Sequence, residues 1–476
     1  MALYDLATRS FWTYSEYRRS RAKSEEIQRF QERGLRKLLR HSAANSTYYG
    51  ERLRGFDVDQ CRLQDLPVTN KSELMAHFDD VVTDPVVHRA NLEQFLDEPT
   101  NVGRLFLDKY PVCHTSGSQG QPMLVVQNQL TLDLLFAFQM SRGYLNYGNG
   151  LNESIRRFFS PARIAVVISK PGFFPSAWIW QHLPASMRRF MRLLYLPSND
   201  PQLSEKLNEF RPTVLVGNPT SLDLLTQKAD RIDFRSLKQV VVNSESLKVP
   251  LRERLATTFR VPVLDTYACG ECVFLTSGCP AGGSHINADW AILEVVDELY
   301  RPVPPGEFGH KVLLTNLANT VQPLIRYEIG DRVKMATTPC GCGNRLPRIE
   351  QIDGRTAEFF WVETDTGVRK LSPYPFQHAF EFLRNVREWQ AIQQDRNRIL
   401  VRLEPLPNAF VDLAFARKKL DERLQLAGFE QGLDIHLEIV RHLASDTRTG
   451  KFRRFVGLPT SPEGRIEAQQ APALKY

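Results

Sequence analysis

No apolar run in this chain approaches the roughly 18 residues of a membrane-spanning helix, which excludes a helical span. The opening residues Met1-Ala2-Leu3-Tyr4-Asp5 lack a basic-then-apolar leader, so a cytoplasmic protein is expected. There is no internal repeat, and array architectures drop out. No stripe of basic residues interleaved with aromatics appears, which argues against nucleic acid as a partner. The formal net charge is only +7 over 476 residues, enough for a protein that handles small anionic molecules without demanding a polyanion. Cysteine is scarce and odd in number, seven in all, with five between Cys269 and Cys342. Such a set fits a reducing compartment with a metal site or free thiols better than a disulfide framework.

What is present is a globular composition, 42% hydrophobic and 24% charged, on a chain too long for one ordinary core. Residues 24 to 44 read as an amphipathic helix marked by Ile27, Phe30, Leu35, Leu38 and Leu39, with Ser24 as its cap. Apolar runs at Leu105 to Val112 and Met123 to Val126 predict two strands around a polar loop. From 160 to 300 short apolar runs alternate with helical patterns: Ile164 to Ile168, Val214 to Val216, Val240 to Val242, a helix over 249 to 259, then Val261 to Leu264. This alternation predicts the α/β class with a mainly parallel sheet, and ligands at the loops after its strands. Past residue 355 a hairpin across Asp395-Arg396-Asn397, a helix over 408 to 426 with Leu413, Phe415, Leu420 and Leu424, and a strand at Ile435 to Val440 predict a small α+β unit. The expected division is a large domain over 1–353 and a small one over 354–476.

Four stretches carry side chains suited to chemistry. The loop Thr115-Ser116-Gly117-Ser118-Gln119-Gly120 can wrap an anion with backbone N–H groups and hydroxyls, or be a solvated hairpin loop. It is not a Walker-type phosphate loop, because no Gly-Lys-Ser/Thr ends it. In Tyr267-Ala268-Cys269-Gly270-Glu271 the ring can face a purine and the acid can hold Mg²⁺ at phosphates; otherwise Tyr267 is core and Glu271 surface. Asp331, after Gly330, can accept both ribose hydroxyls or sit in a turn. Lys451, in Thr449-Gly450-Lys451-Phe452-Arg453-Arg454, is a mobile point charge or part of a solvated tail.

Taken in order, these stretches resemble the adenylate-forming enzymes, which include acyl-CoA synthetases, luciferases and peptide-synthetase adenylation domains. His114 to Pro122 resembles the Thr-Ser-Gly-Ser/Thr-Thr-Gly-x-Pro loop, with Gln119 in place of Thr and Gln121 where Lys is frequent. Ser244-Glu245-Ser246-Leu247 is similar to Gly-Glu-x-Leu, and Tyr267 to Glu271 is similar to Tyr-Gly-x-Ser/Thr-Glu, with Ala268 for Gly and Gly270 for the hydroxyl residue. Arg326-Tyr327-Glu328-Ile329-Gly330-Asp331 resembles Arg-Tyr-x-x-Gly/Arg-Asp, and Gly354-Arg355 resembles the hinge, whose aspartate is replaced by Ala357. The Tyr48-Tyr49 segment followed by Leu66-Pro67-Val68-Thr69-Asn70-Lys71 looks like the start of phenylacetate–CoA ligases and related CapK-type capsule-biosynthesis proteins.

The resemblance implies an AMP-forming ligase that joins ATP and a small carboxylic acid into an acyl-adenylate and passes the acyl group to a thiol, most often coenzyme A. An amine, a sugar or a carrier-protein thiol stays open as the acceptor, as does a homodimer. A zinc-stabilised nucleic-acid binder is a remote alternative. By resemblance Thr115 and Ser116 to Gly120 hold the pyrophosphate and Glu271 ligates magnesium. Ser244, Glu245, Tyr267 and Ala268 line the adenine pocket, Asp331 and Arg355 contact the ribose or phosphates, and Lys451 enters for adenylation. Zinc seeks four soft or borderline ligands. Cys279, His285, Cys340 and Cys342 form one set, and Cys269, Cys272, Cys340 and Cys342 a rival. The first is preferred because Cys269 and Cys272 bracket the acid expected to face ATP; free thiols remain the third reading. Four aromatics in Phe173-Phe174-Pro175-Ser176-Ala177-Trp178-Ile179-Trp180 point to a flat aromatic acid as substrate, or to a helix packing into the core.

Overall fold

The computed structural model describes residues 2–115, 123–143, 161–168, 191–198, 200–244, 247, 249–355, 360–365, 367–371, 374–380, 383, 385–426, 429, 432–443, 452 and 454–458. The chain divides into two compact units, Met1–Gly354 and Arg355–Tyr476.

In the first unit the helix Ser24–Asn45 buries Ile27, Leu35, Leu38, Leu39 and Ser42, and Glu25 and Glu26 in its first turn complement the helix dipole. Its cap position falls to Lys23, whose φ of −70° and ψ of 154° are extended, so Ser24 is the first helical residue rather than the cap. The run from Leu105 is likewise shorter as a strand than its apolar content suggests. Leu107 and Asp108 take φ of 53° and 52° in a turn, and β1 (Val112–His114) begins only after it. β1 pairs antiparallel with β2 (Leu124–Val126).

The helix Gln129–Ser141 follows β2, with Asn128 accepting a hydrogen bond from the Thr131 N–H at 3.1 Å as its cap. It is apolar almost all round and is buried accordingly. Five strands then form a wholly parallel sheet: β3 (Ala162–Ile168), β4 (Met191–Pro197), β5 (Val214–Gly217), β6 (Gln239–Val242) and β7 (Val263–Asp265), in the order β4-β3-β5-β6-β7. Alternate residues enter two different cores. Ile164, Val166, Val214, Val216 and Val241 face one, and Ala165, Val167, Leu215, Val240 and Val242 face the other. A sheet covered on both faces is why these strands read as unbroken apolar runs. The strand order reverses between β3 and β5, and crevices outside the carboxyl ends of such sheets are where ligands bind.

Antiparallel strands complete the unit: β8 (Thr276–Gly278), β9 (Ser284–Ile286), β10 (Ala291–Val296), β11 (Lys311–Asn316), β12 (Tyr327–Ile329), β13 (Asp331–Met335) and β14 (Arg348–Arg355). They form sheets ordered β10-β11-β12 and β13-β14-β9-β8. The α/β class expected from the sequence is the class observed.

The second unit has a hairpin, β15 (Phe360–Thr364) with β16 (Gly367–Leu371), and a mixed sheet of β17 (Val386–Gln393), β18 (Arg398–Pro405), β19 (Asp434–Ile439) and β20 (Phe455–Val456), in the order β19-β18-β17-β20. Its core stacks Phe360 on Phe455, with centroids 3.6 Å apart, beside Phe376 and Trp389. The helix expected over 408 to 426 spans Leu413–Leu426, because Asn408 takes a φ of 60° and Asp412 caps the Phe415 N–H at 3.1 Å. From that start Ala416, Leu420 and Leu424 line the buried face, and Phe415, one position earlier, is 47% exposed.

Candidate functional site

The polar loop leaves β1 and re-enters β2 through a closed neck. The Thr115 N–H donates to the Met123 carbonyl at 3.0 Å, and the Met123 N–H donates back to Thr115 Oγ1 at 2.9 Å. Ser116, Gly117, Ser118, Gln119 and Gly120 lie outside the described residues. At the other end of this hairpin, past β2, Gln127 is fully buried and its Nε2 donates to the Gly270 carbonyl at 2.8 Å. That bond joins the base of the β1–β2 hairpin to the turn that carries Glu271.

The turn is a tight hairpin in which Cys269 and Cys272 pair through N–H···O contacts of 3.4 and 3.1 Å, with Gly270 and Glu271 at its tip. Glu271 is buried, not surface: its carbonyl accepts from Asn316 Nδ2 at 3.0 Å and its Oε1 accepts from the Tyr327 hydroxyl at 3.0 Å. Tyr267, also buried, follows β7, where its N–H donates to Thr276 Oγ1 at 2.8 Å. Its hydroxyl donates to Asp331 Oδ2 at 2.7 Å. Burial, and after it the Glu271 carboxylate, pushes the Cys113 and Cys269 thiols up, so they are neutral thiols beside the acid.

The remaining predicted residues are placed unevenly. Ser244, at the end of β6, holds a φ of 70°, a left-handed backbone that few non-glycine residues adopt, and its Oγ lies 3.0 Å from Asn243 Oδ1. Ala268 lies between Tyr267 and the hairpin. Arg355 is the last residue of β14. Glu245 and Lys451, and the aromatic segment 173–180, lie outside the described residues.

The Leu66 to Lys71 segment turns out to brace β12, the strand that leads to Asp331. Arg326, at a φ of 47°, reaches from Nη1 to the Leu66 carbonyl at 2.7 Å and the Gln64 carbonyl at 2.9 Å, and pairs through Nε with Glu294 at 3.1 Å. The Glu328 N–H donates to the Thr69 carbonyl at 2.8 Å, and Tyr49 of the Tyr-Tyr pair donates from its hydroxyl to Pro323 at 3.0 Å. Gln127, Asn316 and the acid-binding use of Tyr327 are what sequence reasoning missed. Tyr327 stood in a quoted motif, but nothing in its neighbours names its partner.

A second cluster lies around β9. Cys279, His285, Cys340 and Cys342 bring one donor atom each to within 4.8 Å of one another. The Cys279 and Cys340 sulfurs are 3.4 Å apart, and Cys342 Sγ is 3.3 Å from His285 Nε2. The other ring nitrogen, Nδ1, bonds the Leu346 carbonyl at 2.8 Å, which turns Nε2 toward the thiols. Cys269 and Cys272 are not in this group.

The sequence pattern of the AMP-binding enzymes matches residues 28–313, more than half of the chain. The chain belongs to this family of adenylate-forming ligases. Among its relatives is Protein CapK of Staphylococcus aureus, 23% identical over 457 residues that cover 92% of this chain and 91% of that protein. The phenylacetate-coenzyme A ligase of Thermus thermophilus is 27% identical over 180 residues, 36% of this chain and 39% of the ligase. In fold the chain is similar to a 2-hydroxyisobutyryl-CoA ligase crystallised in the postadenylation state, with a TM-score of 0.65 at 19% identity over 92% of this chain and 91% of that one. An adenylate-forming ligase uses ATP, and among the described residues no helix is long and apolar enough to cross a membrane.

Proposed function

We propose that this chain is an ATP-dependent, AMP-forming ligase that activates an aromatic carboxylic acid as its acyl-adenylate and transfers the acyl group to coenzyme A. The observation that carries the reading is the Tyr327 hydroxyl, 3.0 Å from Glu271 Oε1 and 3.3 Å from Met123 Sδ, which sets the neck of the polar loop beside Glu271. An anion-wrapping loop, an acid suited to a hard cation and an acid suited to ribose hydroxyls then belong to one neighbourhood.

In this reading Thr115 and the loop to Gly120 hold the phosphates, Ser244, Glu245, Tyr267 and Ala268 receive the adenine, and Asp331 and Arg355 bind the ribose side. Glu271 is a buried carboxylate already steered by a phenol, a donor that fits Mg²⁺. Bound there, magnesium would offset phosphate charge as pyrophosphate leaves. The chain's own task is to align the acid with the α-phosphate, and Lys451 adds a positive charge for the adenylation step. Residues 354–476 act as the small mobile domain that brings Lys451 and then gives way to the thiol.

Cys279, His285, Cys340 and Cys342 fit a structural zinc. A tetrahedron with bonds of about 2.3 Å to sulfur has edges of roughly 3.8 Å, near the 3.4 and 3.3 Å found. The test is ATP–pyrophosphate exchange across benzoates, phenylacetates, amino acids and fatty acids. Exchange with aryl acids supports the reading, a clear preference for fatty acids removes the aromatic substrate, and no exchange with any acid sinks the activity. Ala357, where the family's hinge aspartate stands, favours a second reading in which an amine, a sugar or a carrier-protein thiol takes the acyl group. Adding each acceptor to the charged enzyme separates the two.

A further inference from the structure

Two five-residue segments of this site share one spacing: Tyr267 precedes Glu271 by four positions, and Tyr327 precedes Asp331 by four. The hydroxyl of each tyrosine bonds the acid of the other segment. The Tyr267 hydroxyl donates to Asp331 Oδ2 at 2.7 Å, and the Tyr327 hydroxyl donates to Glu271 Oε1 at 3.0 Å. The segments therefore lie side by side in opposite directions, tied at both ends by a phenol–carboxylate bond. All four residues are buried, so each bond is shielded from water and charge-assisted.

We infer that Tyr267 and Tyr327 are positioning residues: crossed hydroxyl bonds hold the acid for the divalent cation and the acid for the ribose as one unit. The inference rests on the ligase reading given above. A carboxylate has about four lone-pair sites, so a phenol on one oxygen fixes the rotamer and leaves capacity for a ligand. Tyr327 also touches Met123, its hydroxyl 3.3 Å from Sδ. The closer, charged Glu271 oxygen is the better acceptor, and the thioether contact ties this rung to the neck of the polar loop. Asn316 and Gln127 pin the backbone of the Glu271 turn, leaving Tyr327 to set its side chain.

The two rungs have different consequences. Removing the Tyr327 hydroxyl frees Glu271 and weakens the part of ATP affinity that magnesium supplies. Removing the Tyr267 hydroxyl keeps the ring for adenine but frees Asp331, weakening ATP with and without magnesium. With ATP and Mg²⁺ engaging both acids at once, the two rungs hold one ligand, so the losses on breaking them overlap.

The experiment is calorimetric titration of the full chain with ATP, with and without Mg²⁺, for wild type, Tyr327→Phe, Tyr267→Phe and the double variant, each checked by thermal melting. Tyr327→Phe is expected to lose about tenfold in affinity for ATP with Mg²⁺ and less than twofold without it. Tyr267→Phe should lose about tenfold in both conditions. The double variant should lose less than the product of the two single losses. Equal losses with and without Mg²⁺ in Tyr327→Phe, or two folded variants that bind as wild type does, overturn the crossed brace alone. Wild type that binds no ATP overturns the brace and the ligase reading together. Should either variant fail to fold, the other still decides its own rung.

Discussion

Arg142 grips Asp289 through two parallel hydrogen bonds, Nη1 to Oδ1 at 2.8 Å and Nη2 to Oδ2 at 2.6 Å, with both side chains fully buried. The same guanidinium donates to Glu16 Oε2 at 2.7 Å and to Asn287 Oδ1 at 3.1 Å. Glu16 belongs to the helix Ala2–Arg19, so one buried arginine fastens that helix to the end of the helix Gln129–Ser141 and to the segment after β9. Arg142→Met would leave the buried acids Glu16 and Asp289 with Arg19 as their remaining cation among the described residues. A loss of about 3–5 kcal/mol is expected from breaking such a set. Urea unfolding followed by tryptophan fluorescence, to which Trp290 and Trp12 contribute with centroids 6.1 Å apart, reads the loss. A change under about 1 kcal/mol would mean that the cluster is not buried as described.

The same cluster gives a pH dependence. Burial, and then the Asp289 carboxylate, raises Glu16 to about 8, against the opposing pull of Arg142 and Arg19. Asp289 is pushed up by burial too, but Arg142 holds it below its usual range. A carboxyl raised on folding stabilises fully below its unfolded value, 4.5 for Glu16, and that contribution is lost as pH rises through about 8. Glu16→Gln is neutral at every pH and lacks this slope. Melting temperatures of both proteins from pH 5 to 9 should show wild type losing its advantage as pH rises and levelling off above about 8. Parallel curves across that range would refute the assignment.

How far the sequence discloses this molecule depends on how local each cause is. The parallel sheet was legible because Val214 to Val216 and Val240 to Val242 are buried on both faces and therefore wholly apolar. The helix Gln129–Ser141 was not, because a helix apolar all round has no stripe to read. Glu271 and Asp331 could be picked out by residue type and spacing, but their exchanged tyrosines are a tertiary fact, with 56 and 64 positions between partners. Nothing in the sequence around Glu16 marks it as buried, because its partner Arg142 lies 126 positions away.

Lys451→Ala is expected to lower ATP–pyrophosphate exchange by about a hundredfold or more, the scale of removing one preorganised charge partner. The Met1–Gly354 unit has a core of its own, so its melting and its affinity for ATP should stay near wild type. Exchange within a fewfold of wild type would remove Lys451 from the adenylation step.

Purified protein is expected to hold one zinc per chain, measured by elemental analysis. Four protein donors close a tetrahedral site, with no position for water or substrate, so the metal's contribution is to stability. Local geometry leaves little tolerance. Gly283, just before β9, has a φ of 69°, and a Cβ there would fall 2.2 Å from the Ile349 carbonyl oxygen. The chain can thus press against β14 while the Cys279 N–H bonds the Gly283 carbonyl at 3.1 Å, which directs Cys279 and His285 to the same side. Cys340→Ser should lose the zinc and lower the melting temperature, yet keep exchange activity per folded molecule within about twofold, because a closed site takes no part in the chemistry. Metal-free wild-type protein with all seven thiols open to titration would overturn the site. A zinc-bearing Cys340→Ser protein would shift it away from Cys340.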